Sequence, residues 1–144
     1  MGSINGYSVL VTGGGSGIGE AAAAKLAADG ANVMICGRTE EKLIAAVERI
    51  KAGAADGTTV AHVVADVTDE ASVQSAVAAA TELTGRLDGL FACAGGSTGV
   101  GPLATSDVET IRSTMELNYI GTFLCIKHGG TQMARQEDGG SIIG

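Results

Sequence analysis

Residues 9–19 read Val-Leu-Val-Thr-Gly-Gly-Gly-Ser-Gly-Ile-Gly, three apolar residues running straight into a glycine cluster. An alanine-rich stretch, Glu20 to Asp29, follows at once. A strand that breaks on glycines and restarts as a helix makes a site for phosphate. The glycines let backbone N–H groups approach an anion with no Cβ in the way. The helix N-terminus adds unpaired donors and partial positive charge. Taken alone, the cluster also fits an ordinary tight strand–helix turn.

The rest of the chain repeats the same alternation. Ser8 to Thr12 is short and apolar, as expected for a strand buried on both faces. The helix after it runs from about Gly17 to Asp29 and offers Ile18, Ala22 and Leu26 as an apolar stripe. Asn32 to Cys36 reads as a second strand, followed by a helix capped by Thr39 with Leu43, Val47 and Ile50 on one face. Thr58 to Ala65 is a third strand, and Thr68 or Asp69 caps a helix carrying Val73, Val77, Ala80 and Leu83. Leu87 to Cys93 is a fourth strand. A Gly/Ser/Thr-rich loop from Gly95 to Thr105 leads to one long helix capped by Asp107, with Val108, Ile111, Met115, Asn118 and Thr122 down one face. Gly129-Gly130 weakens that helix late, by roughly 1 kcal/mol per glycine against alanine. Ser141 to Gly144 begins a fifth strand.

Repeated strand–helix alternation implies an α/β fold with a parallel sheet covered on both faces. Right-handed crossovers and the phosphate-type first turn give a Rossmann-type, doubly wound sheet of order 3-2-1-4-5. No internal repeat or linker divides the chain, so residues 1–144 read as one domain, incomplete at its C-terminal end.

Charge and cysteine content narrow the function. The net charge is −7, and the nine Lys and Arg are scattered, against the basic stripe of a nucleic-acid binder. Cys36, Cys93 and Cys125 fit no metal-binding spacing, and only His62 and His128 accompany them, so no metal site is expected. Sparse, unpaired cysteines favour reduced thiols and a cytoplasmic location. No apolar run is long enough for a membrane span, and the first residues lack the basic start and apolar run of a signal peptide, so none is expected.

The glycine spacing, Thr-Gly-x-x-x-Gly-x-Gly over Thr12 to Gly19, fits neither G-x-G-x-x-G nor a Walker loop. It resembles the cofactor loop of the short-chain dehydrogenase/reductase family. Asp66-Val67 resembles that family's adenine-contacting pair. Cys93-Ala94-Gly95 resembles the end of its Asn-Asn-Ala-Gly motif, and Leu117-Asn118-Tyr119-Ile120-Gly121 its mid-helix Asn segment. Four motifs in the family's order cover nearly the whole chain.

The resemblance implies an oxidoreductase moving a hydride between a nicotinamide cofactor and a small alcohol or carbonyl compound. Gly13, Gly15 and the amides around Ser16, Gly17, Ile18 and Gly19 would hold the pyrophosphate. Asp66 would accept from the adenine amino group while the Val67 backbone meets the ring; the alternative for Asp66 is a plain helix cap. Cys93, Ala94 and Gly95 would pass close to the cofactor ribose. An acid ending the second strand would bind a ribose 2′-hydroxyl. Here the sequence is Cys36-Gly37-Arg38, so Arg38 would pair with a 2′-phosphate and NADP is preferred, with NAD possible. If Arg38 is only a solvated turn residue, that preference is open.

Two departures stand out. Ala92 and Cys93 occupy the places of the family's two asparagines, which puts local sheet stability in question. The family's activity also implies Ser, Tyr and Lys, the last two as Tyr-x-x-x-Lys. Tyr7 is followed four residues on by Val11, and Tyr119 by Phe123; Ser141 falls too early. Of the implied catalytic set only Asn118 is present. The sequence therefore reads as the N-terminal portion of such an enzyme, inactive alone, whose intact form is expected to be a homo-oligomer. A non-catalytic dinucleotide-binding module, or a fragment that depends on assembly, is the alternative.

Overall fold

The computed structural model describes residues 3–97, 99 and 101–144. Thr98 and Val100, in the Gly/Ser/Thr-rich loop after the fourth strand, lie outside the described residues. Five parallel strands form one sheet: β1 Ser8–Thr12, β2 Asn32–Gly37, β3 Val60–Val64, β4 Gly89–Ala92 and β5 Ser141–Ile143. Their order is β3-β2-β1-β4-β5, the expected doubly wound arrangement. The helices are α1 Gly17–Ala28, α2 Glu40–Lys51, α3 Glu70–Glu82, α4 Val108–Met115 and α5 Gly121–Met133.

Every residue of β1 is buried, because helices cover both of its faces. Side chains alternate along a strand, so Val9 and Val11 join one core while Leu10 joins the other. The first core packs Val33, Ile35, Leu43, Val47 and Ile50 with the alanines of α1. The second packs Met34, Val67, Val73, Val77, Leu90 and Leu124 beneath α3 and α5. Leu10, Val11, Val33 and Ile35 are at most 1% exposed, which places the centre of both cores along β1 and β2.

Helix α1 buries a different stripe from the expected one. Gly19, Ala23 and Ala27 face the sheet, while Ile18 is 76% exposed. Both triplets satisfy an i, i+4 spacing. The smaller one wins because α1 begins directly against the exit of β1: a Cβ on Gly19 would overlap the carbonyl oxygen of Gly13. Gly13 itself has φ +68°, and a Cβ there would lie 2.9 Å from the Ala94 Cα.

The expected single long helix is interrupted. Between α4 and α5 the backbone forms a π turn, Glu116–Ile120, centred on Asn118. A π turn adds one residue to a helical turn and shifts the faces on either side of it. No residue of α4 is buried, so Val108, Ile111 and Met115 form an exposed stripe rather than a core face. Beyond the turn, α5 runs through Gly129-Gly130 to Met133. Packing overrides the weak propensity there: a Cβ on Gly129 would stand 2.8 Å from the Leu90 side chain, so the glycine lets α5 sit close on β4.

The missing asparagines leave no gap in the sheet. β4 pairs with β1 through Thr12↔Ala92 and with β5 through Phe91↔Ile143, although the strand ends at Ala92, one residue early. At the opposite end of the sheet, the buried Asp88 carboxylate accepts from the Ser8 N–H at 2.8 Å and from Arg86 Nε at 2.6 Å. That contact fixes the starts of β1 and β4 side by side.

Adding a methyl group at Gly19 is expected to cost about 1–3 kcal/mol, since backbone must move. Gly53, after α2, has an ordinary φ, and a Cβ there would meet no atom within 4 Å, so Gly53→Ala is expected to be neutral or to stabilise by about 0.5–1 kcal/mol. Urea unfolding of Gly19→Ala and Gly53→Ala checks the contrast; similar midpoints for the two variants would contradict it.

Candidate functional site

The C-terminal ends of β1, β2, β3 and β4 open into one cleft of about 190 Å³. It lies where the chain order reverses between β1 and β4, the place where open parallel sheets bind ligands. Gly13, Gly15 and Ser16 form its floor, and Arg38 stands at the end of β2. Asp66 and Val67 come from the exit of β3, and Ala94 and Gly95 from the exit of β4. Gly17, Ile18 and Gly19 do not line it directly. They form the first turn of α1, whose N–H groups have no partner within the helix. Ser16 makes no side-chain capping bond to them. Cys93 is half-buried beside the cleft rather than in it, and burial pushes its thiol pKa upward.

The glycines of the loop divide by what surrounds them. Gly14 is required by packing, since a Cβ there would lie 2.5 Å from that of Ile35. Gly15 is different: its nearest neighbours would be the Leu43 and Lys42 side chains at 3.4 and 3.6 Å, ordinary contact, and its φ is not positive. Gly37 likewise would meet only Leu43, at 3.5 Å. Both glycines line the cleft. Nothing in the fold requires them to lack side chains, and that lack keeps the cleft open.

Asp66 is not a helix cap. The cap of α3 is Asp69, whose carboxylate accepts from the Ser72 N–H at 2.8 Å. Asp66 Oδ1 instead accepts from Thr68 N at 2.9 Å and Thr68 Oγ1 at 2.8 Å, which closes the turn after β3. The Thr68 N–H is the main reason the carboxyl sits below its usual range; burial opposes, and the Thr68 hydroxyl and the Arg38 charge add to the lowering. Oδ2 has no hydrogen-bond partner among the described residues and is available to a ligand N–H donor.

Asn118 acts through the loop after β4. Its Oδ1 accepts from Gly96 N at 2.9 Å, and its Nδ2 donates to Gly96 O at 2.6 Å and Thr114 O at 2.7 Å. The amide therefore clamps both backbone groups of Gly96 and takes the Thr114 carbonyl at the π turn. Thr12, whose motif position marks only the loop's start, is a second clamp: its buried Oγ1 accepts from Ala94 N at 3.0 Å. Burial pushes Cys125 to about 11 and Cys36 to about 12, so neither is a thiolate near neutral pH.

The cleft also holds residues that motif reading passed over. Thr39, Lys42 and Leu43, from the first turn of α2, and Leu117, from the π turn, line it. The signal for the first three was their place just after β2, beside Arg38. Leu117 stands in the mid-helix Asn segment without a role assigned to it there, and the π turn carries it to the cleft. Neither tyrosine is placed for chemistry in the cleft: Tyr7 stands before β1 at the opposite end of the sheet, and Tyr119 is 66% exposed. Ser141 pairs with Gly89 at that opposite end as well.

The chain is similar over most of its length to known proteins. The family model described as short chain dehydrogenase matches residues 7–144. A 2,5-dichloro-2,5-cyclohexadiene-1,4-diol dehydrogenase of Sphingobium indicum is 37% identical over 143 residues, covering 99% of this chain and 55% of its own length. Levodione reductase of Leifsonia aquatica is 36% identical over 135 residues, covering 94% and 50%. Among solved structures, a short-chain type dehydrogenase/reductase from Mycobacterium ulcerans superposes with a TM-score of 0.92 at 44% identity, covering 97% of this chain and 50% of that one. An NAD+-bound xylitol dehydrogenase superposes with a TM-score of 0.89 at 28% identity, covering 98% and 53%. The chain spans about half the length of the curated relatives it matches.

A depressed carboxyl pKa stabilises the fold above the unfolded value, about 3.9 for Asp, and that contribution disappears as pH falls through the folded value. Asp66→Ala is therefore expected to cost about 1–2 kcal/mol at neutral pH, from two lost hydrogen bonds. The difference from the unsubstituted chain should shrink below about pH 4. Urea unfolding from pH 3 to 7 measures it; a gap that stays constant through acid would contradict the assignment.

Proposed function

The chain belongs to the short-chain dehydrogenase family, and from that premise we propose that its cleft holds a nicotinamide dinucleotide, NADP in preference to NAD, for an oxidoreductase acting on a small alcohol or carbonyl compound. The observation that carries the reading is the cleft itself. The glycine loop, the Asp66-Val67 turn and the Ala94-Gly95 turn converge at the switch point of the sheet. The residues fit such a ligand: two glycines without a packing role keep the path clear, and Asp66 Oδ2 is uncommitted.

In this reading the first-turn amides of Gly17, Ile18 and Gly19 receive the pyrophosphate at the positive end of α1. Asp66 Oδ2 accepts from the adenine amino group. Arg38, with no acid at the end of β2, favours a 2′-phosphate by a charge-assisted contact. Ala94, held by Thr12, and Gly95, next to the Gly96 that Asn118 holds, border the ribose. The bound cofactor would supply hydride transfer. Proton transfer in the family rests on Ser and Tyr-x-x-x-Lys, and the 144 residues contain no Tyr-x-x-x-Lys. This chain by itself is therefore proposed to bind the cofactor without turnover, in a soluble, cytoplasmic setting. Among the described residues no helix is long and apolar enough to cross a membrane.

Calorimetry is expected to show binding of NADPH and weaker binding of NADH. A steady-state assay with NADPH and a broad carbonyl panel is expected to show no turnover. No heat with either nucleotide would remove the dinucleotide reading, and clear turnover would overturn the proposed inactivity.

A second reading, dependence on assembly, rests on one surface. Val108, Ile111, Met115, Tyr119, Phe123 and Ile126 run along α4, the π turn and α5, each at least 46% exposed. Apolar stripes of this length on a soluble domain mark contact surfaces, and a second copy of the chain is the proposed partner. Light scattering should report self-association that Met115→Glu with Phe123→Glu reduces; a clean monomer up to the solubility limit would count against this reading.

A further inference from the structure

The chain is acidic, with 16 Asp and Glu against nine Lys and Arg. Cations in such a chain readily find partners, and six of the nine do. Lys25, Arg49, Lys51, Arg86, Arg112 and Lys127 each make an ion pair with a carboxylate. Among the described residues, Arg38, Lys42 and Arg135 have no ion pair within 4 Å. Two of those three, Arg38 and Lys42, line the same cleft.

Their setting explains what they can do together. Arg38 follows β2, and Lys42 is four residues on, in the first turn of α2. Glu40 lies in the same turn, 4.0 Å from His62 of β3. Gly37 leaves the end of β2 bare: a Cβ there would meet only Leu43, at 3.5 Å, so the space takes a side chain and has none. The position therefore offers no carboxylate to bind a ribose hydroxyl or to repel a phosphate. Thr39, between the two cations, makes no capping bond with its side chain. The one carboxylate across the cleft, Asp66, is turned into the Thr68 hydrogen bonds on one oxygen.

We infer that Lys42 is a specificity-determining residue that forms, with Arg38 and over the open space at Gly37, a two-cation seat for the 2′-phosphate of an adenosine ligand. The inference rests on the dinucleotide reading of the cleft and adds to it a second cation outside the glycine loop. It also makes the adenosine 2′-phosphate half recognisable by this chain without a nicotinamide ring. A 5′-pyrophosphate is the competing anion, because the Lys42 Cβ lies only 3.6 Å from the Cβ position of Gly15 in the phosphate loop. The two anions are separable by ligand.

The test is calorimetry on the 144-residue chain with adenosine 2′,5′-bisphosphate, 5′-AMP and 5′-ADP, at low and moderate salt. The unsubstituted chain should favour the bisphosphate over 5′-AMP by roughly tenfold or more, and the margin should shrink with salt. Lys42→Gln should remove most of that margin while binding of 5′-AMP and 5′-ADP holds. Lys42→Arg should restore it, and circular dichroism should show all three proteins equally folded. A Lys42→Gln that weakens 5′-ADP as much as the bisphosphate would assign Lys42 to the pyrophosphate and overturn the inference. So would a Lys42→Gln that changes nothing. Equal binding of bisphosphate and 5′-AMP by the unsubstituted chain would overturn the inference while leaving the dinucleotide reading in place. Binding of none of the three ligands would remove both.

Discussion

Backbone meets backbone where α1 leaves β1. Gly19 lies against the carbonyl of Gly13, and Gly13 against Ala94 at the exit of β4, with no room for a Cβ at either. The exit of β1 and the start of α1, neighbours in sequence, and the exit of β4, remote from both, are thus held at van der Waals distance without an intervening side chain. The rest of the site follows from that approach. It aims the first turn of α1 at the cleft, and it rotates α1 so that Gly19, Ala23 and Ala27 are buried against the sheet while Ile18 is exposed and Leu26 only half-buried at the edge of the core. Close-packed interiors resist volume changes of even one methylene, so these contacts leave little freedom in where the phosphate-binding amides stand.

The β4 side of the cleft is held by hydrogen bonds instead. Thr12 takes the Ala94 N–H, and Asn118 takes both backbone groups of Gly96. Where Ala92 and Cys93 bring no amide side chain to the strand end, these two residues fix the loop from β1 and from the π turn. The π turn is what lets Asn118 reach the loop and the Thr114 carbonyl together. Extra-residue turns within helices often occur at functional sites, and here the interruption places a polar side chain against a loop that borders the cleft.

The surface is uneven. α1 and α2 cover β1, β2 and β3 on one face, while β4 and β5 on that face border an apolar groove of about 500 Å³ lined by Val9, Leu26, Phe91 and Ile143. The stripe on α4 and α5 lies exposed on the other face. Every residue lining the cleft at the switch point belongs to β1–β4, their loops, α2 or the π turn.

Much of this was legible in the sequence because it is local. Apolar β1, the glycines after it and the repeated strand–helix alternation determined the parallel sheet, its order and the place of the cleft. The family motifs named Asp66, Ala94, Gly95 and Asn118 at sites the structure brings to or beside that cleft. What only the tertiary structure decided depends on distance between segments remote in sequence. The apolar stripe 18/22/26 and the smaller stripe 19/23/27 share one helical period, and only the approach to Gly13 chooses between them. The stripe on α4 has the pattern of a core face, yet no residue of that helix is buried. Spacing alone could not separate Gly14, which Ile35 requires, from Gly15, which nothing in the fold requires. Nor could it separate Lys42 from the paired lysines, because an ion pair is settled by which carboxylates the fold brings within 4 Å. Sequence pattern fixes what each segment can bury; packing fixes which residues are left over to bind something else.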